Sequence, residues 1–295
     1  MTKTEAAGRI AFAAADKIAI VAGSGLLPLD LAQRLTEAGK PPFLVLMKGE
    51  ADQAALASWE HQELDLENIA ALGGMLKQRG VTHMVMAGGI GRRPRLSRLK
   101  PSLALLALLP RALAAFARGD DGALRALAGA LEASGVQVVG PQQLVPDLLA
   151  QAGPMTRLGP RKADWRDLDS ALAAARAIGA LDIGQGAVAI GGRAIALEGI
   201  EGTDGMLERV AALRSHGRLA GRKRGVLVKC AKPGQELRLD PPTIGPATVE
   251  AAHRAGLAGI GVEAQKSLVL DQAVLVERAD ALGLFVIGLS GSPPE

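Results

Sequence analysis

The feature that most constrains the fold of this chain is an aliphatic run that leads directly into a glycine turn and then into an amphipathic helix. The run is Lys17–Ala22, the turn is Gly23-Ser24-Gly25-Leu26-Leu27-Pro28, and the helical pattern covers Leu29–Ala38. A strand joined to a helix in this way is the building unit of parallel sheets. We therefore predict an α/β protein with a Rossmann-like N-terminal domain built on a parallel sheet.

The glycine turn has two interpretations. Glycine lets the backbone approach a ligand, and a helix N-terminus offers free N–H groups to an anion. However, only Gly23-x-Gly25 is present, without the third glycine of the dinucleotide fingerprint. Tight packing of the strand on the helix explains the glycines almost equally well, so the turn alone gives little support for NAD.

A second glycine loop follows the predicted strand Val81–Met86. It reads Ala87-Gly88-Gly89-Ile90-Gly91-Arg92-Arg93-Pro94. Ligands of doubly wound sheets bind beyond the carboxyl ends of the strands, so the two glycine loops are expected to face one crevice. Arg92 and Arg93 would then be placed to neutralise phosphate.

A charged loop follows the predicted strand Gly225–Lys229 and extends to Gly245. Its prolines and glycines exclude a regular helix, and such loops on a rigid scaffold often carry sites. Carboxylates can hold a divalent cation or activate water, while Lys and Arg neutralise phosphate oxygens. A solvated charged loop without a site is the alternative. The charged side chains are Lys229, Lys232, Glu236, Arg238 and Asp240.

Composition narrows the class of protein. Hydrophobic residues make up 48% of 295 residues, which is ample for a core, but aromatic residues make up only 2%. Base-stacking platforms are therefore scarce, and we expect no nucleic-acid partner. The single cysteine, Cys230, excludes an intrachain disulfide and fits a small buried residue at a strand end in a reducing cytoplasm. No apolar run reaches the roughly 20 residues that span a bilayer.

The chain divides into two predicted domains. Residues 1–16 are expected to be a disordered leader, residues 17–152 the Rossmann-like domain, residues 153–162 a linker, and residues 163–295 a mixed α/β (α+β) domain. The second domain begins with a predicted hairpin, Gly186–Ile190 and Arg193–Leu197, across Gly191-Gly192. Thr203 or Asp204 is a plausible N-cap of the helix that follows, a structural role as well supported as a catalytic one.

The stretch from Leu96 to Ala117 combines basic residues with the apolar run Leu103–Leu109. A buried helix is the ordinary interpretation. The alternative is an apolar wall beside a basic rim, which suits an anionic amphiphile or a membrane surface.

Several segments together resemble the UDP-2,3-diacylglucosamine pyrophosphatases of lipid A biosynthesis, of the metal-dependent type unrelated to the calcineurin-like phosphoesterases. The resemblance covers nearly the whole chain, and the set of segments in this order is specific. The segments that carry it are Ile20–Pro28, Ala87–Gly89, Glu198–Met206, Lys229–Gly245, Thr248–Glu250 and Gly259–Ala264.

The resemblance implies a Mg²⁺-dependent hydrolase, with Mn²⁺ as a substitute, that cleaves UDP-2,3-diacylglucosamine to UMP and 2,3-diacylglucosamine 1-phosphate. It further implies a cytoplasmic homodimer that associates peripherally with the inner face of the inner membrane. The implied catalytic residues are Glu236, Asp240, Lys229, Lys232 and Arg238, with Glu236 and Asp240 as metal ligands. The implied substrate-binding residues are Gly23, Ser24, Gly25, Leu26, Leu27, Pro28, Gly88, Gly89, Ile90, Arg92, Arg93, Thr203, Asp204, Gln235, Thr243, Gly245, Thr248 and Glu263.

One position departs from the family pattern, because Glu236 stands where the pattern has Asp. Its carboxylate lies one methylene farther out, and a shift of about 1 Å can cost on the order of a hundredfold in rate. Either the metal or water moves to suit, or Asp240 is the main carboxylate.

Two other functions stay open at this point. A nicotinamide-dependent oxidoreductase would explain the first glycine turn, and a non-catalytic lipid- or nucleotide-binding protein would explain the basic and apolar stretches.

Overall fold

The computed structural model describes residues 10–92, 120–217, 219, 221 and 224–290. The chain forms two compact units. The N-terminal unit comprises Met1–Pro146 together with Glu236–Asp240, and the C-terminal unit comprises Asp147–Gln235 and Pro241–Glu295. The segment Glu236–Asp240 therefore belongs to the N-terminal unit although its neighbours in sequence on both sides do not.

The N-terminal unit is built on a parallel sheet, as predicted. Its described strands pair in the order β3-β2-β1-β4-β5, and every pairing is parallel. This is the order of a doubly wound half-sheet, with the topological switch point between β1 and β4. The strands are β1 Ile18–Ala22, β2 Phe43–Met47, β3 His61–Leu64, β4 His83–Ala87 and β5 Gln137–Val139.

Helices follow the strands, as the apolar periodicity predicts. Glycines with positive φ stop two of them, Gly39 after the first helix and Gly80 after the third. The segment ahead of the third helix, Leu66–Ala71, is a 3₁₀ helix. The α-helices of this unit are α1 Leu27–Glu37, α2 Gln53–Leu56, α3 Leu72–Gln78, α4 Asp120–Ala133 and α5 Pro141–Leu144.

Strand β3 was not predicted from the sequence. Its residues read His-Gln-Glu-Leu, and only Leu64 is buried. It lies at the end of the sheet order, where one edge needs no apolar partner. A strand of this kind lacks the aliphatic signal by which the other strands were recognised.

The C-terminal unit contains a mixed sheet, which confirms the α/β prediction for this half. Its order is β6-β13-β11-β9-β7-β8; β13, β11 and β9 are parallel, and the other three strands pair antiparallel. The predicted hairpin is present as β7 and β8. The strands are β6 Gly153–Pro154, β7 Gly186–Ala189, β8 Ala194–Leu197, β9 Val226–Lys229, β11 Gly259–Glu263 and β13 Phe285–Leu289.

A separate parallel pair is formed by β10 Thr243–Ile244 and β12 Leu268–Val269. The sequence pattern predicts Gly259–Glu263 and Ser267–Leu270 to be a pair of strands, and this is wrong, because the corresponding strands β11 and β12 lie in different sheets. The helices of the C-terminal unit are α6 Lys162–Ala180, α7 Gly202–Ser215, α8 Pro246–Arg254 and α9 Gln272–Leu282. Aliphatic side chains from α7, α8, α9 and the sheet form its largest buried cluster.

Two sequence predictions meet these bounds differently. The compact units divide at Pro146, and β6, which lies inside the predicted linker, pairs with β13 of the C-terminal unit. The start of the predicted leader, residues 1–9, lies outside the described residues, as do Arg93 and the stretch from Leu96 to Ala117. No helix in the described part of the chain is long and apolar enough to cross a membrane.

Asp164 fixes the start of the longest described helix, α6. Its buried carboxylate accepts the Arg161 backbone N–H at 2.8 Å and two hydrogen bonds from the Arg224 guanidinium, at 3.0 and 2.6 Å. Burial opposes the charged form and by itself raises the pKa of Asp164. The hydrogen bonds from Arg224 and Arg161 outweigh it, so the pKa is lowered overall.

We expect Asp164→Asn to destabilise the protein by about 1–2 kcal/mol near neutral pH, because the charge-assisted bonds to Arg224 are lost. Because the pKa of Asp164 is lower in the folded state than in the unfolded state, its ionised carboxylate stabilises the fold fully at pH values above the unfolded-state pKa. This stabilisation is lost as the pH falls through the folded-state pKa. The difference from wild type should therefore shrink below about pH 4. Urea unfolding against pH measures it, with Asp169→Asn on the same helix as the exposed control. A constant difference down to pH 2 would contradict this assignment.

Candidate functional site

The two predicted glycine loops lie side by side at the switch point of the N-terminal sheet. Ser24 N–H donates to the Gly89 carbonyl at 2.8 Å, and Gly89 N–H donates back to the Ser24 carbonyl at 3.0 Å. The Ser24 hydroxyl adds a bond to the same Gly89 carbonyl at 3.0 Å. The two loops therefore meet beyond the carboxyl ends of β1 and β4, and a ligand crevice there stays a prediction.

Only glycine fits where the loops touch. A Cβ built on Gly23 would collide with the Gly89 carbonyl, and one built on Gly88 would collide with the Ser24 carbonyl. Gly88 also has φ +86° and Gly25 has φ +94°, a conformation that side chains disfavour. These glycines therefore serve close backbone packing, and they leave Ser24, Gly25, Gly88 and Gly89 exposed at the edge where ligands of such sheets bind.

The remaining loop residues divide into two kinds. Leu26 and Ile90 are exposed apolar side chains, at 50% and 43% of their full accessibility. Leu27 and Pro28 begin helix α1 and are buried in the unit's interior. Of the predicted substrate-binding residues on the first loop, these two are therefore packing residues.

Arg92 is held by acidic side chains rather than left open to a phosphate. Its guanidinium makes two bonds to Glu67, at 2.6 and 3.1 Å, and lies 4.0 Å from Glu50. The hydrogen bond that Arg92 donates to Glu67 raises the pKa of Arg92. Glu50 also accepts the Gly91 N–H at 3.0 Å, so the two carboxylates fix the end of the second glycine loop.

The segment Glu236–Asp240 is anchored in the N-terminal unit by Arg238. The guanidinium makes two bonds to the Glu236 carboxylate, both at 2.9 Å, and its Nη1 reaches Glu132 at 2.8 Å and the Val138 carbonyl at 3.1 Å. The hydrogen bonds between Arg238 and Glu236 lower the pKa of Glu236 and raise that of Arg238.

Two further contacts hold the same segment. The amide of Gln142, on α5, donates to the Leu237 carbonyl at 3.2 Å, and Leu239 is buried in the aliphatic cluster that contains Val138. Asp240, which ends the segment, is exposed. The anchor therefore holds the exposed residue Asp240 at a fixed place in the N-terminal unit.

The two predicted metal ligands do not form a ready metal site in this arrangement. Both carboxylate oxygens of Glu236 accept hydrogen bonds from Arg238. Among the described residues, no group of three or more His, Cys, Asp or Glu side chains is arranged to hold an ion. The donor set seen here does not fit Mg²⁺, and Mg²⁺ dependence stays a prediction.

The cations at the start of the loop are engaged within the C-terminal unit. Lys229 is buried at the end of β9 and donates to the Thr243 carbonyl at 3.1 Å. The Lys232 ammonium pairs with Asp182 at 2.6 Å, and the Lys232 N–H donates to Gln235 at 2.8 Å. Lys229 therefore links the loop's two ends, and Gln235 shapes the turn between them.

Glu263 is a buried carboxylate at the end of β11. It accepts the Ala231 N–H at 3.1 Å and the Lys266 ammonium at 2.9 Å, and it lies 3.6 Å from Arg176. Its place among the predicted substrate-binding residues is thus explained by support of the loop backbone. Beside it, burial and the charge of Glu263 raise the pKa of Cys230 to about 11, so this thiol is the inert packing residue predicted.

The other candidates of this unit lie at element starts. Thr248 accepts the Gly245 N–H at 3.2 Å and caps helix α8, while the Thr243 hydroxyl donates to the Pro241 carbonyl at 2.9 Å. The predicted N-cap role of Thr203 or Asp204 is wrong, because Glu201 occupies that position and both lie inside α7.

The Thr203 hydroxyl instead donates to Glu198 at 2.6 Å, and Glu198 also accepts the Gln185 N–H at 3.0 Å. Sequence reasoning missed the residues that hold the candidates in place. They lie far away in sequence, and no local spacing marks them: Glu132 and Gln142 for the anchored segment, Asp182 for Lys232, and Arg176 for Glu263.

Comparison with known proteins covers both units. The family model described as the LpxI N-terminal domain matches residues 17–148, and that of the LpxI C-terminal domain matches residues 151–287. UDP-2,3-diacylglucosamine pyrophosphatase LpxI of Caulobacter vibrioides is 38% identical over 275 residues, which cover 92% of this chain and 97% of that protein. The crystal structure of Thermus thermophilus UDP-glucose 4-epimerase with NAD aligns over 95% of this chain and 88% of the epimerase chain. Its identity is 12% and its TM-score 0.31, too low to support an inference.

The contact between the glycine loops predicts a sharp response to one methyl group. We expect Gly88→Ala to destabilise the protein by about 1–3 kcal/mol, because the added Cβ meets the Ser24 carbonyl and the residue keeps a positive φ. Gly74→Ala is the matched control, since Gly74 lies in α3 with open space around its Cβ position. It should stabilise by up to about 1 kcal/mol. Equal urea midpoints for Gly88→Ala and wild type would show that the loops do not pack this way.

Proposed function

Because this chain belongs to the LpxI family, we propose that it is a UDP-2,3-diacylglucosamine pyrophosphatase of lipid A biosynthesis. It hydrolyses the pyrophosphate bond and yields UMP and 2,3-diacylglucosamine 1-phosphate. The observation that carries the proposal is that both family domains match in order and that the Caulobacter relative aligns over nearly its full length.

The nucleotide half of the substrate binds at the edge formed by the two glycine loops. This edge lies at the switch point, and its exposed residues Ser24, Gly25, Gly88 and Gly89 let a ligand approach the backbone. The exposed side chains of Leu26 and Ile90 supply apolar contact for a base. Ser24, Gly25, Gly88 and Gly89 need neither a charge nor a catalytic group to bind the nucleotide, and all four are small residues.

Hydrolysis needs a group that removes a proton from water while the oxygen of that water bonds to phosphorus and the bridging oxygen leaves. Asp240 takes this proton. It is an exposed acidic residue at the end of an anchored segment, and the Glu236 carboxylate serves the anchor itself by accepting two hydrogen bonds from Arg238. In this proposal Glu can stand at position 236, where the family pattern has Asp, because the carboxylate of this residue positions Arg238 and does not take the proton.

Positive charge near the loop offsets the charge that develops on phosphoryl oxygens. Lys232 is the candidate for this role, since its ammonium is only partly buried and its present partner is one carboxylate, Asp182. Lys229 is buried and bonded to the Thr243 carbonyl, so it acts by holding the loop closed. Arg238 acts as an anchor rather than as a phosphate ligand.

Mg²⁺ dependence, association with the inner face of the membrane and a homodimer remain predictions from the family resemblance. The membrane prediction has support from the two acyl chains named in the relative's substrate. The test of the proposed function is incubation of the purified protein with UDP-2,3-diacylglucosamine and Mg²⁺, with and without EDTA. Release of UMP together with the lipid monophosphate supports the reaction, and release abolished by EDTA supports the metal. No release under either condition would overturn the proposal.

The two carboxylates of the anchored segment should differ in their kinetic effects. We expect Asp240→Asn to lower kcat by about 10²–10⁴-fold, as for loss of a general base. Glu236→Gln should instead lower the urea midpoint and reduce kcat less, because it loosens Arg238. Asp271→Asn is the matched exposed control, at a position with φ 46° that Asn also tolerates. A normal kcat in Asp240→Asn would remove this residue from the mechanism.

A further inference from the structure

The turn that follows helix α6 contains an aspartate in an unfavourable backbone conformation. Asp182 has φ 53°, in the left-handed region that side chains disfavour, and it is one of three such non-glycine residues in the described part of the chain. Asp182 N–H donates to the Gly179 carbonyl at 3.0 Å. Ile183 N–H donates to the Ile178 carbonyl, also at 3.0 Å. These two bonds end the helix in a motif that usually has glycine where Asp182 stands. The aspartate therefore keeps a conformational cost, which points to a task for its side chain.

The Asp182 carboxylate binds an ammonium of the charged loop. Its Oδ1 accepts a hydrogen bond from Lys232 Nζ at 2.6 Å. The Lys232 side chain keeps 17% of its full accessibility and the Asp182 side chain 29%, so the pair is partly shielded from water. The pair also lies just beyond the C-terminal end of α6, where the helix dipole favours a cation. The ammonium is therefore held at one place on the C-terminal unit.

The backbone of the charged loop rests on the same turn. Cys230 N–H donates to the Gln185 carbonyl at 3.0 Å, which ties the start of the loop to the end of the turn. A Cβ built on Gly179 would lie 3.4 Å from the Lys232 Cα, so the loop passes close over the last residues of α6. Lys232 is thus held through its main chain as well as through its ammonium.

A buried carboxylate fixes the far end of the turn. Glu198 accepts the Gln185 N–H at 3.0 Å with one oxygen and the Thr203 hydroxyl at 2.6 Å with the other. Gly184 packs against the same residue, since a Cβ built on it would collide with the Glu198 carbonyl. The turn is therefore attached to helix α6 at its start and to Glu198 at its end. A carboxylate on such a turn has little freedom to move with the ammonium that it binds.

We propose that Asp182 is a positioning residue for Lys232, an inference that rests on the proposed function. An ammonium has three donors, so the bond to Asp182 leaves two for phosphoryl oxygens. The four-carbon stem of lysine is flexible, and ordering it during the reaction would cost conformational entropy. Because Asp182 orders the stem beforehand, the positive charge of Lys232 stands ready where negative charge develops on the phosphoryl oxygens.

The first test separates positioning from folding by substitution of Asp182. Asn tolerates the left-handed conformation, so Asp182→Asn removes the negative charge and keeps the backbone. We expect kcat for UMP release from UDP-2,3-diacylglucosamine to fall about 10–100-fold, because the ammonium is no longer held in place. KM should stay unchanged or fall, because a negative charge near an anionic substrate has been removed.

Asp182→Gly gives a second measure of the same role. It should lower kcat by a similar factor and leave the urea midpoint close to that of wild type, because glycine is favoured at this position and offsets the lost ion pair. The matched control is Asp271, an exposed aspartate with φ 46° at the start of α9. Asp271→Asn and Asp271→Gly should leave kcat unchanged.

The second test establishes whether Asp182 acts through Lys232. Lys232→Gln alone should lower kcat, because the charge that stabilises the transition state is lost. Asp182→Asn added to Lys232→Gln should cause no further fall, because the ammonium that Asp182 positions is absent. The four proteins of this cycle are compared by kcat, KM and urea midpoint.

The outcomes separate this inference from the proposed function. Absence of turnover by the wild-type protein would overturn the function, and the inference with it. Wild-type turnover together with an unchanged kcat in Asp182→Asn would overturn only the positioning role. Multiplicative losses of kcat in the double variant would also overturn it, since Asp182 would then act independently of Lys232. A raised KM with a lowered urea midpoint in both Asp182 variants would do the same, because it would show a purely structural role.

Discussion

Arg238 makes the contacts on which the charged loop depends. Its guanidinium joins Glu236, Glu132 and the Val138 carbonyl, and Leu239 beside it is buried in the aliphatic cluster of the N-terminal unit. A planar group with several donors can satisfy two carboxylates and a carbonyl at once, which a lysine ammonium does less well. Because these partners leave the guanidinium little freedom, the residues on either side of it have fixed backbones. The position of the exposed residue Asp240, two residues after Arg238, follows from this fixed backbone.

A second constraint operates at the edge of the N-terminal sheet. The loops after β1 and β4 share two backbone hydrogen bonds, and this approach leaves no room for a Cβ at Gly23 or Gly88. The glycines that had two interpretations in the sequence therefore have a packing role in the structure, and ligand binding at the same place stays a proposal. They pack two loops against each other, and by doing so they leave exposed backbone at the switch point. Structural and ligand-binding roles of a glycine are not competing explanations here.

Much of the fold followed from aliphatic runs and glycine stops. The strand predicted at Gly225–Lys229 is present as Val226–Lys229, and the predicted hairpin is present as Gly186–Ala189 and Ala194–Leu197, because buried strands carry a local signal. The polar edge strand His61–Leu64 carries no such signal and was missed. The candidate site was harder to predict, since the roles of Arg238, Lys232 and Glu263 depend on partners up to about a hundred residues away. A motif shows which residue types are present, and tertiary contacts decide which of them remain accessible.

The division of the chain into two units has a consequence for fragments of the protein. The polypeptide passes from one unit to the other at Pro146, again at Gln235, and once more at Asp240. A fragment ending at residue 146 would lack Leu239 in its interior and would leave Glu132 without Arg238. The N-terminal unit is therefore completed by a short segment that the chain supplies about ninety residues after it has passed into the C-terminal unit.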